Sequence, residues 1–136
     1  MGIEFRRIFS YNEYMRRRHG LLIPSEAAVL EAGVALEQQG RRHFHGFLLS
    51  KTIRDLQGSP IFPSVGGLYK ALDRLERAGF LESEWEDFEA AAHESRAQRP
   101  RRRLYHTTDS GIQALDAFHA QQQVIAARWS REAVTA

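Results

Sequence analysis

Apolar residues recur at helical spacing along most of this chain, and glycine or proline marks the breaks between the runs. Ser25 stands before a run that predicts a helix to about Gln39, with Val29, Val34 and Leu36 among its buried positions and Gly40 as its stop. A second helix is predicted over His43 to Gln57, because Phe44, Phe47, Leu48, Ile53 and Leu56 return on one side. Gly58-Ser59-Pro60 ends it, and Pro63 biases Phe62 towards an extended link. Ser64 is the next N-cap candidate. The helix behind it, Val65 to Ala78, puts Leu68, Leu72 and Leu75 on one stripe and turns Tyr69, Lys70, Asp73, Arg74 and Arg77 elsewhere.

After Gly79 the period changes from helical to alternating. Phe80 to Trp85 reads as a strand, residues 87–100 as a long polar tip, and Arg101 to Thr107 as the returning strand. Thr108 or Asp109 then caps a final helix to about Arg131, whose Ile112, Leu115, Phe118, Ile125 and Trp129 form a hydrophobic seam. At the other end, residues 1–23 mix Phe5, Ile8, Phe9, Tyr11 and Tyr14 with the triplet Arg16 to Arg18, a pattern that permits an amphipathic helix. The expected fold is therefore mainly α with a small β-hairpin: three helices and a hairpin, the winged helix-turn-helix plan. The expected divisions are an extension over 1–23, a winged-helix unit over 24–108 and a C-terminal helix over 109–136.

Composition adds mostly exclusions. A chain of 136 residues suits one core with an appendage. No apolar run reaches the roughly 20 residues that cross a bilayer, and Met1 to Phe9 interleaves charges where a signal peptide would be apolar. The absence of cysteine removes disulfides and thiolate metal sites and fits a reducing cytoplasm. The formal net charge of +2 conceals strong segregation: acids gather at Glu82, Glu84, Glu86, Asp87, Glu89 and Glu94, and arginines at Arg96, Arg99, Arg101, Arg102 and Arg103. Such a local positive patch, rather than total charge, is what a nucleic-acid binder needs.

Several residue blocks together resemble the PadR family of transcriptional regulators. They are His45-Gly46-Phe47, Gly67 through Leu81, Glu84-Trp85, Arg99 through Tyr105, and Thr108 through Gly111, spread over about residues 27–120. The MarR family also dimerises through terminal helices, but it matches the middle block and the Tyr105-to-Gly111 spacing less well. Three features depart from the PadR pattern: Thr107 stands where leucine is usual, the tip at 87–98 is long, and residues 1–23 lie outside the common domain. The resemblance implies a cytoplasmic, nucleoid-associated homodimer built through the last helix. It further implies a repressor of near-palindromic double-stranded DNA operators that releases DNA on meeting a small aromatic effector.

The residues expected to meet DNA are Ser64, Gly66 and Gly67 at the helix start, Tyr69, Lys70 and Arg74 along it, and Arg99, Arg101, Arg102 and Arg103 in the wing. Tyr69 is expected at phosphate, and Lys70 or Arg74 at bases. The competing reading makes the arginines a solvated loop balanced by the preceding acids, or a dock for an acidic protein. On the last helix, Ile112, Leu115, Phe118, Ile125 and Trp129 are expected either as dimer core or as the lining of an aromatic pocket. The histidines are scattered, so no metal is expected, and His45 is expected to help cap the second helix. With no phosphate loop, activated serine or nucleophilic cysteine, neither an enzyme nor a cofactor is expected.

Overall fold

The computed structural model describes residues 22–87 and 100–135, with side chains to 132; the extension up to residue 21 and the tip at 88–99 lie outside the described residues. The described order is α1 (Pro24–Gln38), α2 (Gly46–Gln57), α3 (Val65–Arg77), β1 (Leu81–Trp85), β2 (Arg103–Thr107) and α4 (Asp109–Thr135). No helix among the described residues is long and apolar enough to cross a membrane.

α1 is the central element. Ala27, Ala28, Val29, Leu30, Ala32, Gly33 and Leu36 are all buried, an arc wide enough to meet α2, α3, β2 and α4. It begins two residues earlier than the Ser25 cap predicts. Ile23 is the N-cap and Pro24 the first helical residue, where the missing amide costs nothing. The Glu26 carboxylate, at the third helical position, accepts the Ile23 N–H at 3.2 Å and so satisfies the amide of the N-cap residue itself.

α2 starts three residues later than its periodicity suggests. Phe44 cannot be helical because it is paired with the wing: its N–H donates to the Tyr105 carbonyl at 3.0 Å and the Tyr105 N–H donates back at 2.8 Å. His45 then serves as the N-cap, its Nδ1 accepting the Leu48 N–H at 3.3 Å. Leu49 and Ile53 enter the core, whereas Phe47 and Leu56, predicted beside them, are exposed. α3 follows its stripe closely. Ser64 Oγ accepts the Gly67 N–H at 3.2 Å, and Leu68, Ala71, Leu72 and Leu75 are buried.

The hairpin is antiparallel, with Leu81 opposite Thr107, Ser83 opposite Tyr105 and Trp85 opposite Arg103. Both strands are shorter than predicted, since Phe80 and Arg101 fall outside them. Its inner face carries Leu81 and Tyr105 into the core. On the outer face, Glu82 and Glu84 pair with His106 and His43 at 3.0 and 3.1 Å, so the acidic strand is met by histidines rather than by the wing arginines.

α4 is anchored at its first turn. The Thr108 hydroxyl donates to the Gly79 carbonyl at 2.6 Å and accepts the Gly111 N–H at 3.0 Å. Leu115 lies in the chain's own core beside Ala114, and Phe118 packs against it, so these two seam residues serve the monomer fold. Next along the helix, His119 pairs with Glu31 at 2.6 Å, and the same carboxylate accepts Gln57 at 3.2 Å. From His119 to Glu132 every residue is exposed.

Gly111 explains the last block of the resemblance. A Cβ there would lie 2.2 Å from the Phe80 carbonyl oxygen, a backbone atom that cannot step aside cheaply. Gly111→Ala is expected to lower stability by about 2–3 kcal/mol, the usual scale for overpacking, read as the shift in urea midpoint. An unchanged midpoint would contradict this packing.

Candidate nucleic-acid interface

The first turn of α2, the outward face of α3 and the start of the returning wing strand meet in one cleft. The cleft, of about 260 Å³, is lined by His45, Gly46 and Phe47, by Tyr69, and by Pro100, Arg101 and Arg102. Residues distant in sequence are brought together because β2 pairs on both sides, with β1 and with Phe44.

Gly46 allows the closest approach in this cleft. A Cβ on it would lie 2.5 Å from the Tyr69 hydroxyl oxygen, so the ring of Tyr69 lies against the α2 backbone with nothing between. Tyr69 is nonetheless 45% exposed, with part of its surface turned to solvent. Ser64 and Gly66 are exposed at the start of α3, Gly67 is half-buried there with its N–H on the serine cap, and Lys70 is exposed one residue beyond Tyr69.

Arg74 is placed differently from the sequence expectation. It turns back across the core to α1, its Nε 3.5 Å from Glu26 Oε2, with Glu26 itself buried. A carboxylate out of water needs a cation, and Arg74 supplies it. Its role in the described structure is to tie α3 to α1 rather than to present a charge outward.

The wing arginines divide by what they touch. Arg103 donates from Nε to Ser83 Oγ at 3.0 Å, lies 3.8 Å from Glu76, and packs over Trp85 with its guanidinium carbon 5.1 Å from the ring centre. Ser83 also donates to Glu76, so Glu76, Ser83 and Arg103 link α3 to both strands. Arg101 donates to the Glu86 carbonyl at 3.0 Å, and its guanidinium carbon lies 5.8 Å from the centre of the Trp85 ring. Arg102 bonds to Glu86 through its backbone, and its guanidinium has no partner among the described residues. Arg99 lies outside the described residues.

Next to this cluster, burial and then the charge of Glu76 push the Tyr105 phenol above its ordinary range. It therefore stays neutral while its backbone holds the wing. Thr107, where the resemblance expects leucine, has a specific partner: its N–H and hydroxyl both donate to Glu37 at the end of α1. Among the described residues no three histidine, aspartate or glutamate side chains converge as a metal site requires.

The model of the PadR-like family of transcriptional regulators matches residues 35–117, more than half of the chain. The chain belongs to this family. PadR-family proteins are transcription regulators rather than enzymes. A PadR family regulator from Eggerthella lenta is similar over 98% of this chain and 99% of its own, with 26% identity and a TM-score of 0.58. A transcriptional regulator from Clostridium thermocellum shares the fold over 78% of this chain and 89% of its own, at 19% identity and a TM-score of 0.58. Bacillus subtilis PadR, solved in complex with operator DNA, matches over 70% of this chain and 46% of its own, at 18% identity and a TM-score of 0.50. No curated protein matches the chain in sequence.

Two basic residues four apart on α3 should thus behave differently. Arg74→Ala is expected to cost about 1–2 kcal/mol, discounted from the scale of a fully buried pair because its side chain is a third exposed. Lys70→Ala should stay within about 0.5 kcal/mol, the scale of an exposed position. Chemical unfolding of both variants checks this, and equal effects would contradict the assignment of Arg74.

Proposed function

We propose that this PadR-family chain is a homodimeric repressor that binds double-stranded operator DNA through the cleft face. The observation that carries the reading is the convergence of Tyr69 on α3 with Arg101 and Arg102 of the wing beside the start of α2. A helix that lays its first half in a major groove leaves the wing at the flanking backbone. Ser64, Gly66 and Gly67 then approach phosphate with the α3 N-terminus, and Lys70 reaches base edges. Arg102 supplies charge to the backbone, while Arg101 and Arg103 stiffen the strand that carries it. Arg99, next to Pro100 in the sequence, is proposed as a further DNA contact. The DNA-bound Bacillus subtilis relative supports this reading by its fold.

Dimerisation through α4 explains an otherwise costly arrangement. From His119 to Glu132 the helix runs roughly 21 Å at 1.5 Å per residue, and every residue along it is exposed. Val124, Ile125 and Trp129 are exposed along it, and Ile112 is exposed nearer its start. Pairing with a second copy covers them, and Trp129 with Ile125 forms the wall against which a flat aromatic effector stacks to release DNA. In this reading residues 24–108 are the DNA-binding unit and 109–136 the dimerisation helix of a cytoplasmic, nucleoid-associated protein.

Two experiments follow. Sedimentation should give a dimer for the wild type and a shift to monomer for Trp129→Glu; a wild-type monomer at micromolar concentration would overturn the dimer. In a titration against a duplex selected from a random pool, Arg102→Ala should flatten the slope of log affinity against log salt by about one, for the charge removed from the DNA backbone, while Lys70→Ala should mainly relax the preference for the selected sequence. An unaltered slope with unaltered affinity would place the DNA elsewhere, and no wild-type binding even at low salt would favour docking on an acidic protein.

A further inference from the structure

Phe47 is the most exposed large apolar side chain among the described residues, at 78%, although it sits in the first turn of a helix whose other large apolar groups mostly point inward. Its position is fixed from both sides. His45 caps the helix and holds its ring within 20° of parallel to that of Phe47, with centroids 6.5 Å apart. Gly46, between them, is pressed by Tyr69. The phenyl ring thus lines a cleft to which the cationic Arg101 and Arg102 also contribute.

We infer that Phe47 is a DNA anchor, its ring packing on the apolar face of a deoxyribose next to the phosphate held by the wing; this rests on the DNA-binding reading above. The physical case is one of complementarity. An exposed phenyl costs solubility unless something covers it. What covers it must also satisfy the Arg102 guanidinium that lines the same cleft, and a sugar–phosphate chain alternates apolar and anionic groups. A purely apolar partner would strand Arg102, and a free inorganic anion would leave the ring wet. The first helix of a helix-turn-helix crosses the backbone rather than entering the groove, which favours the sugar over the thymine methyl.

An apolar interaction and an ionic one differ in salt dependence, and that difference provides the test. Binding of the full-length protein to a duplex selected from a random pool is measured from low to moderate salt for wild type, Phe47→Ala and Phe47→Leu. Phe47→Ala should bind roughly tenfold or more weakly, the scale of burying an aromatic ring. Its salt slope should equal that of wild type, because every phosphate keeps its cation. Phe47→Leu should recover most of the affinity, and thermal unfolding of both variants should match wild type, since the side chain lies outside the core. Wild-type affinity retained in Phe47→Ala would overturn the anchor while leaving DNA binding intact. Repeating the titration with deoxyuridine in place of every thymidine should leave the ratio of wild type to Phe47→Ala unaltered. A ratio that collapses would assign the ring to a thymine methyl and overturn the sugar assignment. Absence of wild-type binding to any duplex would overturn both the anchor and the reading beneath it.

Discussion

Two backbone hydrogen bonds between Phe44 and Tyr105 hold the parts of this molecule in one frame. They join the loop after α1 to the second wing strand, across most of the length of the described chain. Both side chains are buried, so the pair is shielded from water as well as bonded. A two-stranded hairpin by itself is marginal in water. With Phe44 as a third rung, and Leu81 and Tyr105 in the core, the wing is fixed relative to the helices. The position of α2 follows from the same pair, because the chain can turn helical only after Phe44 is released, at the His45 cap.

The charges of the wing are arranged around this frame rather than spread by simple neutralisation. Arg103 and Arg101 lean on Trp85 and bond to Ser83 and the Glu86 carbonyl, which sets the pitch of the strand. The acids of β1 face the other way, to His43 and His106. The hairpin therefore has a cationic side towards α3 and a mixed acid–histidine side away from it. Arg74, withdrawn to Glu26, leaves Lys70 as the basic side chain at the centre of the outward face of α3.

Much of this is legible in the order of residues, because helical and alternating periods separate cleanly at Gly79 and the caps at His45 and Ser64 are local. The Thr108-to-Gly111 spacing is visible too, although its reason, the Phe80 carbonyl above Gly111, depends on folding. What periodicity cannot supply is competition from distant partners. Phe44 fits a helical repeat, but it gains more from two bonds to Tyr105. Phe47 and Leu56 share that repeat and are exposed, because α2 buries a narrow stripe. Arg74 has the look of a surface arginine, and only a buried Glu26 across the core reveals otherwise. Leu115 lies on the seam by spacing, yet the chain's own core takes it first.

In the proposed DNA-binding mode one face, made by the start of α2, the first half of α3 and the wing segment at residues 100–103, meets DNA. Backbone amide chemical shifts recorded while a selected duplex is added test it most directly. The largest changes are expected at 45–48, 65–70 and 101–103, with small ones at Glu82, Glu84 and His106 on the far side of the hairpin. Changes concentrated on that far side, with Tyr69 and Arg102 unmoved, would contradict it.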